Sequence, residues 1–304
     1  MKELDMFVRN MTITGKSGKT IKQFSNYIEE FFEILKISTL EDLSALTLSD
    51  FDLYLEFLQN KGNGDSTRNT KLSGIKSFYK YLNDNEIIDK NVAERVKHSK
   101  TQKKVSVQPT KEEAKKILQS VKHKPKLFAL YTLLMNSGLR IEEALSLRLG
   151  DIRDGCIYVI NGKGGKDRLV LINSTAVETL EKYIATYRKS WDRDSLMERH
   201  NGNLKRVKQA LEDSDLIFLG KNGLRMYNSN LNVSMDYTAK VCNISPDKVH
   251  PHAFRHYFAN EFIRQGGNIQ ELKSQLGHES IATTQLYFKT DISAIQRTMS
   301  TMSF

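Results

Sequence analysis

Cysteine is nearly absent, with only Cys156 and Cys242 in 304 residues. That excludes a disulfide framework or a zinc-ribbon spacing and makes a reducing cytoplasm the expected setting. No run of about 18 apolar residues occurs, so no membrane-spanning helix is expected. The opening Met1-Lys-Glu-Leu-Asp-Met-Phe-Val-Arg9 lacks the apolar stretch and small-residue cleavage site of a signal peptide. A complete nucleotide-binding loop is missing as well. Gly15-Lys-Ser-Gly18-Lys19-Thr20 resembles the end of one, but Ile13 stands where the first glycine is required, and no convincing magnesium-binding acid follows. A turn entering a helix is the simpler reading. His250, His252 and His256 cluster, yet no nearby cysteine or third carboxylate completes a zinc site.

What is abundant is positive charge. The chain carries a net +10 with a pI near 9.3, and eleven basic residues stand against three glutamates between Asn91 and Lys126. Such a strip is either a solvated linker and helix face or a phosphate-binding surface, because releasing condensed counterions gives basic segments their sequence-independent affinity for DNA. A hydrophobic content of 39% and a charged content of 27% are those of a soluble globular protein. The length allows two domains with separate cores.

Residues 1–98 read as all helix. Ile21, Phe24, Ile28, Phe31, Phe32 and Leu35 recur at helical spacing, and Leu48-Ser49-Asp50 can cap a second helix. After the turn-forming Lys61-Gly-Asn-Gly-Asp-Ser66, a helix over 67–82 buries Leu72, Ile75, Phe78, Tyr79 and Leu82. Arg68, Lys71 and Lys76 are expected away from that stripe, as solvated cations or DNA contacts. Residues 99–109, with Lys103 and Lys104, show no strong periodicity and read as a basic linker. The region 110–304 opens with the capping-box pattern Thr110-Lys-Glu-Glu113, and a helix over about 126–135 follows. Cys156–Ile160 and Leu169–Ile172 are strands flanking the glycine-rich Gly162–Asp167, a hairpin with a cationic tip. The fold class expected is mainly α, a helical domain followed by a mostly helical domain with a small antiparallel hairpin.

Short strings in the second region carry chemistry. Asn136-Ser-Gly-Leu-Arg140-Ile-Glu-Glu143 places an arginine at a helix start with acids in the first turn, where the helix dipole favours them. A surface arginine would look the same. Gly162-Lys163-Gly-Gly-Lys166-Asp-Arg168 puts two lysines on the hairpin tip. His252-Ala-Phe-Arg255-His256 sets His252 and Arg255 one turn apart on one helix face. Asn268-Ile-Gln-Glu271 starts a helix that Gly277 ends, leaving His278 just beyond, and Tyr287 follows nine residues later. Several cations around one phenol are what a phosphodiester needs if a tyrosine is to attack it. Arginine grips phosphate oxygens with a planar fork that keeps its proton, and fixed donors stabilise charge where it accumulates.

In these ordered motifs the chain resembles the tyrosine recombinases, the phage-integrase family, over nearly its whole length and most nearly the minimal two-domain Xer-like type. The resemblance implies that 1–98 is a SAM-like core-binding domain and 110–304 the catalytic domain. It carries over as catalytic residues Arg140, Lys163, His252, Arg255, His278 and Tyr287, with Glu143 in support. It implies a 3′-phosphotyrosyl link and a four-way junction, without metal, ATP or other cofactor. Tyr287 would attack, His252 would accept its proton, and Lys163, with Lys166 as rival, would protonate the leaving 5′ oxygen. The implied partners are double-stranded recombination sites, other copies in a synaptic tetramer and accessory DNA-binding proteins. The segment Ser293–Phe304, with Ile295, Met299, Met302 and Phe304, is an exchange element or a frayed tail.

Two departures stand out. Phe254 replaces the leucine common in the second motif, and the polar stretch 189–223 is longer than compact members need. That stretch reads equally as a lid, a DNA-contacting insertion or an extra helix. The alternatives are a catalytically silent DNA-binding regulator, a type IB topoisomerase-like enzyme and a basic scaffold. Integrase, transposon recombinase and dimer resolvase all remain open as roles.

Overall fold

The computed structural model describes residues 1–100, 107–153, 155–160 and 167–277. The chain divides into two compact units, Met1–Lys104 and Val105–Phe304. Among the described residues no helix is long and apolar enough to cross a membrane.

The first unit is helical throughout: α1 (Lys2–Ile13), α2 (Gly18–Leu35), α3 (Leu40–Ala45), α4 (Leu48–Asn60) and α5 (Asp65–Asp84). Ser17 caps α2 by accepting from the Thr20 amide, so the glycine-rich Gly15–Gly18 is a helix entry. Thr47 and Asp50 bond across the first turn of α4, placing its cap at Thr47, ahead of the expected Leu48–Asp50. The helix α1 lies beyond the expected set; its Leu4, Phe7 and Met11 are buried. Aromatic rings fill the centre, Phe31 meeting Tyr54 edge-on at 5.0 Å and Phe51 at 5.3 Å. The Tyr79 hydroxyl donates to the Leu43 carbonyl at 3.1 Å, so its polar end is satisfied inside the core.

Lys71 does not take the outward place expected of it on α5. Lys71 is buried at 8% exposure, and its ammonium pairs with Glu30 at 2.5 Å. Burial opposes ionisation of Glu30, but bonds from Lys71 and Lys61 outweigh it and hold the carboxyl below its ordinary range. Lys71 thus faces α2 and not solvent. Arg68 is partly covered too and pairs with Asp65 and Gln59. Lys76 donates to the Glu94 carbonyl at 3.2 Å.

The second unit is built around α7 (Pro125–Ser137), eight of whose thirteen residues are buried. A helix apolar on nearly every side belongs at a centre. Packed on it are α6 (Lys111–Val121), α9 (Ser174–Lys182) and α13 (Pro251–Arg264). Each large apolar side chain buried there contributes roughly 1.5–3 kcal/mol. Thr110 and Glu113 form the expected capping box of α6. The short α8 (Ile141–Leu145) follows α7. Strands β1 (Ile152–Arg153), β2 (Cys156–Val159) and β3 (Arg168–Leu171) form an antiparallel sheet in sequence order, with Ile157 opposite Val170. Ile157, Val159 and Val170 face the core, while Tyr158, Leu169 and Leu171 are exposed. Burial alternates along β2 and β3 as the strand pleat requires. The short β1 adds a strand beyond the two expected.

The polar stretch folds as α10 (Arg193–Arg199) and α11 (Leu204–Glu212), with a small core of Leu196, Val207 and Ala210. Then come α12 (Asn228–Cys242), α13, and α14 (Ile269–Leu276), the last started by the expected Asn268–Glu271 capping box.

Gly138, at φ 65°, ends α7. The sequence Ser137-Gly138 therefore closes one helix before Arg140 caps the next. A Cβ there would lie 2.5 Å from Phe258 and 2.6 Å from Leu276. Gly155 has a similar φ of 72° but nothing within 4 Å. Gly138→Ala should therefore cost about 3 kcal/mol, strain plus overpacking, and Gly155→Ala about 1 kcal/mol. Thermal melting by circular dichroism should show the larger loss for Gly138→Ala.

Candidate active site

Two helices end at the same place. α7 stops at Gly138 and α14 at Gly277, both in the left-handed conformation that glycine adopts without penalty. Helix ends leave carbonyls without intrahelical donors and carry partial negative charge. Arginines supply the donors. Arg255 donates to the Gly138 carbonyl at 2.5 Å and to Leu276 at 2.7 Å. Arg140 reaches the Gly277 carbonyl at 3.3 Å, and Arg168 the Gln275 carbonyl at 3.3 Å.

Glu143 joins two of these arginines. Its carboxylate accepts from the Arg140 guanidinium at 3.0 Å and the Arg140 amide at 2.8 Å. Arg168 completes the grip with a two-pronged bond at 2.9 and 2.8 Å. Burial opposes the charge on Glu143, but the bonds from Arg168 and Arg140 outweigh it and hold the carboxyl below its ordinary range. Two guanidiniums thus share one carboxylate, while Arg255 is held by the helix-end carbonyls of Gly138 and Leu276.

The helix α13 brings in the histidines. His250 caps it, its Nδ1 accepting from the Ala253 amide at 3.2 Å, and Pro251 occupies the first turn where no amide is needed. His252 and Arg255 lie one turn apart; His252 is exposed while Arg255 is buried at 5%. Partial desolvation, then the charges of His250, Arg255 and Arg140, hold the His252 imidazole below its ordinary pKa. Burial pushes His256 down further, to about 4.

The structure therefore gathers Arg140, Glu143, His252 and Arg255 from two separate motifs. Lys163, its rival Lys166, His278, Tyr287, Lys103 and Lys104 lie outside the described residues. Arg168 had no expected role, although its string was singled out. The visible signal was a basic residue opening a strand after a glycine-rich turn; its partner Glu143, 25 residues earlier, was not. Gln275 was also unforeseen. Its side-chain amide pairs with both the amide and the carbonyl of Leu171, at 3.1 and 2.6 Å, so α14 is stitched to the edge of β3.

Residues 108–293 match the phage integrase family, and residues 4–89 match the phage integrase N-terminal SAM-like domain. The chain belongs to the phage integrase family. Its members are the tyrosine recombinases, enzymes that cleave and rejoin DNA through a tyrosine. This recombinase is 30% identical over 292 residues to tyrosine recombinase XerC of Myxococcus xanthus, covering 93% of this chain and 91% of that protein. It is 27% identical over 308 residues to XerC of Caldanaerobacter subterraneus, covering 94% and 82%. The fold is similar to a lambda integrase dimer bound to a core site, with a TM-score of 0.73, 17% identity, and 94% of each chain covered. The Tn1549 transposon integrase is similar at a TM-score of 0.72, 18% identity, and 97% and 99% coverage.

Arg168→Met leaves the nearly buried Glu143 short of its two-pronged partner and should cost about 3 kcal/mol at neutral pH. Glu143 stabilises the fold while ionised, so the gap between wild type and variant should close as pH falls below the ordinary 4.5. Melting curves across pH check this; a gap independent of pH would remove Glu143 from the explanation. Arg168→Lys, which keeps the charge without the fork, should fall between the two.

Proposed function

We propose that this tyrosine recombinase cuts and rejoins double-stranded DNA at a specific site with Tyr287 as nucleophile. The observation that carries the reading is the anchoring of Arg140 and Arg255 on the same helix end. Their bonds to Gly277 and Leu276 lie directly before His278 and within a dozen residues of Tyr287 in the chain.

In the proposed step the Tyr287 oxygen bonds to phosphorus and the 5′ oxygen leaves, so one phosphoester replaces another. The phenol, of ordinary pKa about 10, must lose its proton. His252 accepts it, being neutral at pH 7 because its pKa is depressed. Arg140 and Arg255 meet the charge on the non-bridging oxygens, with His278 as a further donor. Their orientation is set beforehand by helix-end carbonyls, so little reorganisation is needed as charge develops. Glu143 and Arg168 position Arg140 and do not touch the phosphate. Lys163 delivers a proton to the leaving 5′ oxygen. A 5′ hydroxyl from a partner duplex reverses the step and rejoins strands, two such exchanges passing through a four-way junction.

Assembly on DNA as a tetramer is part of the same reading. An open, mainly apolar groove of about 820 Å³ lies along β3 and α13, lined by Leu169, Leu171, Ile172, Tyr257, Phe258 and Phe262. Its proposed occupant is the segment 293–304 of a neighbouring copy, which offers Ile295, Met299, Met302 and Phe304. A cytoplasmic setting fits the scarcity of cysteine.

The chemistry is tested on a nicked duplex carrying the recombination site, recovered by pulling the protein down with fragmented host DNA. Wild type should leave a denaturant-resistant protein–DNA adduct in the presence of EDTA, and Tyr287→Phe none. Lys163→Ala should slow adduct formation by about a hundredfold. Replacing the bridging 5′ oxygen with sulfur should restore it, since a thiolate leaves without a proton. Rescue of Lys166→Ala in place of Lys163→Ala would transfer the role to Lys166. A tightly bound, correctly nicked site with no adduct would point to the regulator.

The groove is tested by Leu171→Asp, an exposed position, and by truncation after residue 292. Both should abolish paired-site complexes in native gels while single-site binding stays within about threefold. Unchanged pairing would free the segment from this role.

A further inference from the structure

The helix α7 has a second cationic site at its other end. Around Lys126, near its N-terminus, lies a cavity of about 340 Å³ lined also by Arg188, Lys189, Arg199 and Lys221, with the exposed ring of Tyr187 at its edge. No acid lines it among the described residues. A concavity walled by one sign of charge focuses the field and calls for a multiply charged anion.

The wall is built, not incidental. The polar stretch 189–223 supplies one side of it, through Lys189, Trp191, Arg199 and Lys221. Its Trp191 carries the Arg199 guanidinium 4.6 Å from the ring centroid, and Arg199 donates to the Lys221 carbonyl at 3.4 Å. The insertion is seated on the turn at 220–223: His200 Nε2 lies 3.0 Å from the Asn222 carbonyl. At Gly223, φ 74°, a Cβ would come within 2.9 Å of Leu196 and 3.2 Å of Trp191, so only glycine lets the insertion approach so closely. Opposite, Arg188 donates twice to the Leu216 carbonyl, at 3.0 and 2.9 Å. Lys126 donates to Leu219, and burial, then the charges of Lys221 and Lys189, hold its pKa down. Three lysines therefore share one space with no acid among its described lining residues.

We propose that this cavity binds the phosphate chain of a nucleoside di- or triphosphate, with Tyr187 presenting a face to the base. Its size suits a small ligand and not a duplex. Twelve residues of helix rise put it about 18 Å along α7 from Gly138 and the arginines, so it is separate from the site of strand cleavage. Tyr187 adds stacking on a base to charge pairing with phosphate. The nucleotide is bound and not consumed.

Isothermal titration of the full chain with ATP and with inorganic tripolyphosphate, both without metal, tests this. Saturable binding of each at submillimolar concentration is expected. Lys189→Gln combined with Lys221→Gln, both exposed positions, should weaken both ligands by about tenfold at an unchanged melting temperature. Tyr187→Ala should weaken ATP by about threefold and leave tripolyphosphate unaffected. Tyr287→Phe should bind ATP as wild type does, which keeps this result independent of the recombination chemistry. Absence of saturable binding overturns the proposal. So does binding that ignores the lysine pair but is lost in Arg140→Gln, because the anion then occupies the arginine cluster. A lysine-pair variant that loses affinity for duplex DNA but not for ATP assigns the cavity to the DNA backbone and overturns it as well.

Discussion

Arginine side chains on the carbonyl ends of α7 and α14 hold those two helix ends of the second unit together. The last carbonyls of a helix have no intrahelical donor, and leaving them buried and unpaired is costly. Arg255 satisfies one carbonyl from each helix, so it fixes the two ends against each other. Arg140 and Arg168 add bonds to the residues flanking the α14 terminus. The same bonds that close the fold also aim the cations.

Three guanidiniums so close together repel, and their repulsion limits how tightly they gather. Glu143 and the negative ends of two helices relieve it. Arg140 and Arg168 share the Glu143 carboxylate, and Arg255 is met by two helix-end carbonyls. Glycine at 138 and 277 is required because any side chain would strike Phe258 and Leu276 in one case and the Arg168 side chain, 2.9 Å away, in the other.

Much of this was legible along the chain wherever partners are near in sequence. Thr110–Glu113 and Asn268–Glu271 bond across a single turn, so their capping boxes could be read directly. Gly277 followed an apolar helical stripe and ended it as expected. His252 and Arg255 shared a face because they are three residues apart. Reading failed where the partner was remote. Lys71 looked like one more surface lysine of α5 until α2 brought Glu30, 41 residues away, against it. Arg168 was one cation among several until Glu143 met it, and Gln275 gave no sign that its amide would extend the edge of β3.

The polar insertion shows the same limit. Its composition was compatible with a lid, a DNA contact or an idle helix, because polar residues without strong periodicity constrain little by themselves. Seated on Gly223 and capped by the Trp191–Arg199 contact, it becomes the wall of a cavity. The sequence alone determined the fold class, many of the helices, strands β2 and β3, the family and the residue types needed for phosphodiester chemistry, since these rest on local spacing and ordered motifs. Which arginines meet, which lysine is buried and where positive charge gathers were decided only by tertiary packing. Those outcomes depend on distances between residues far apart in the chain, which local spacing does not encode.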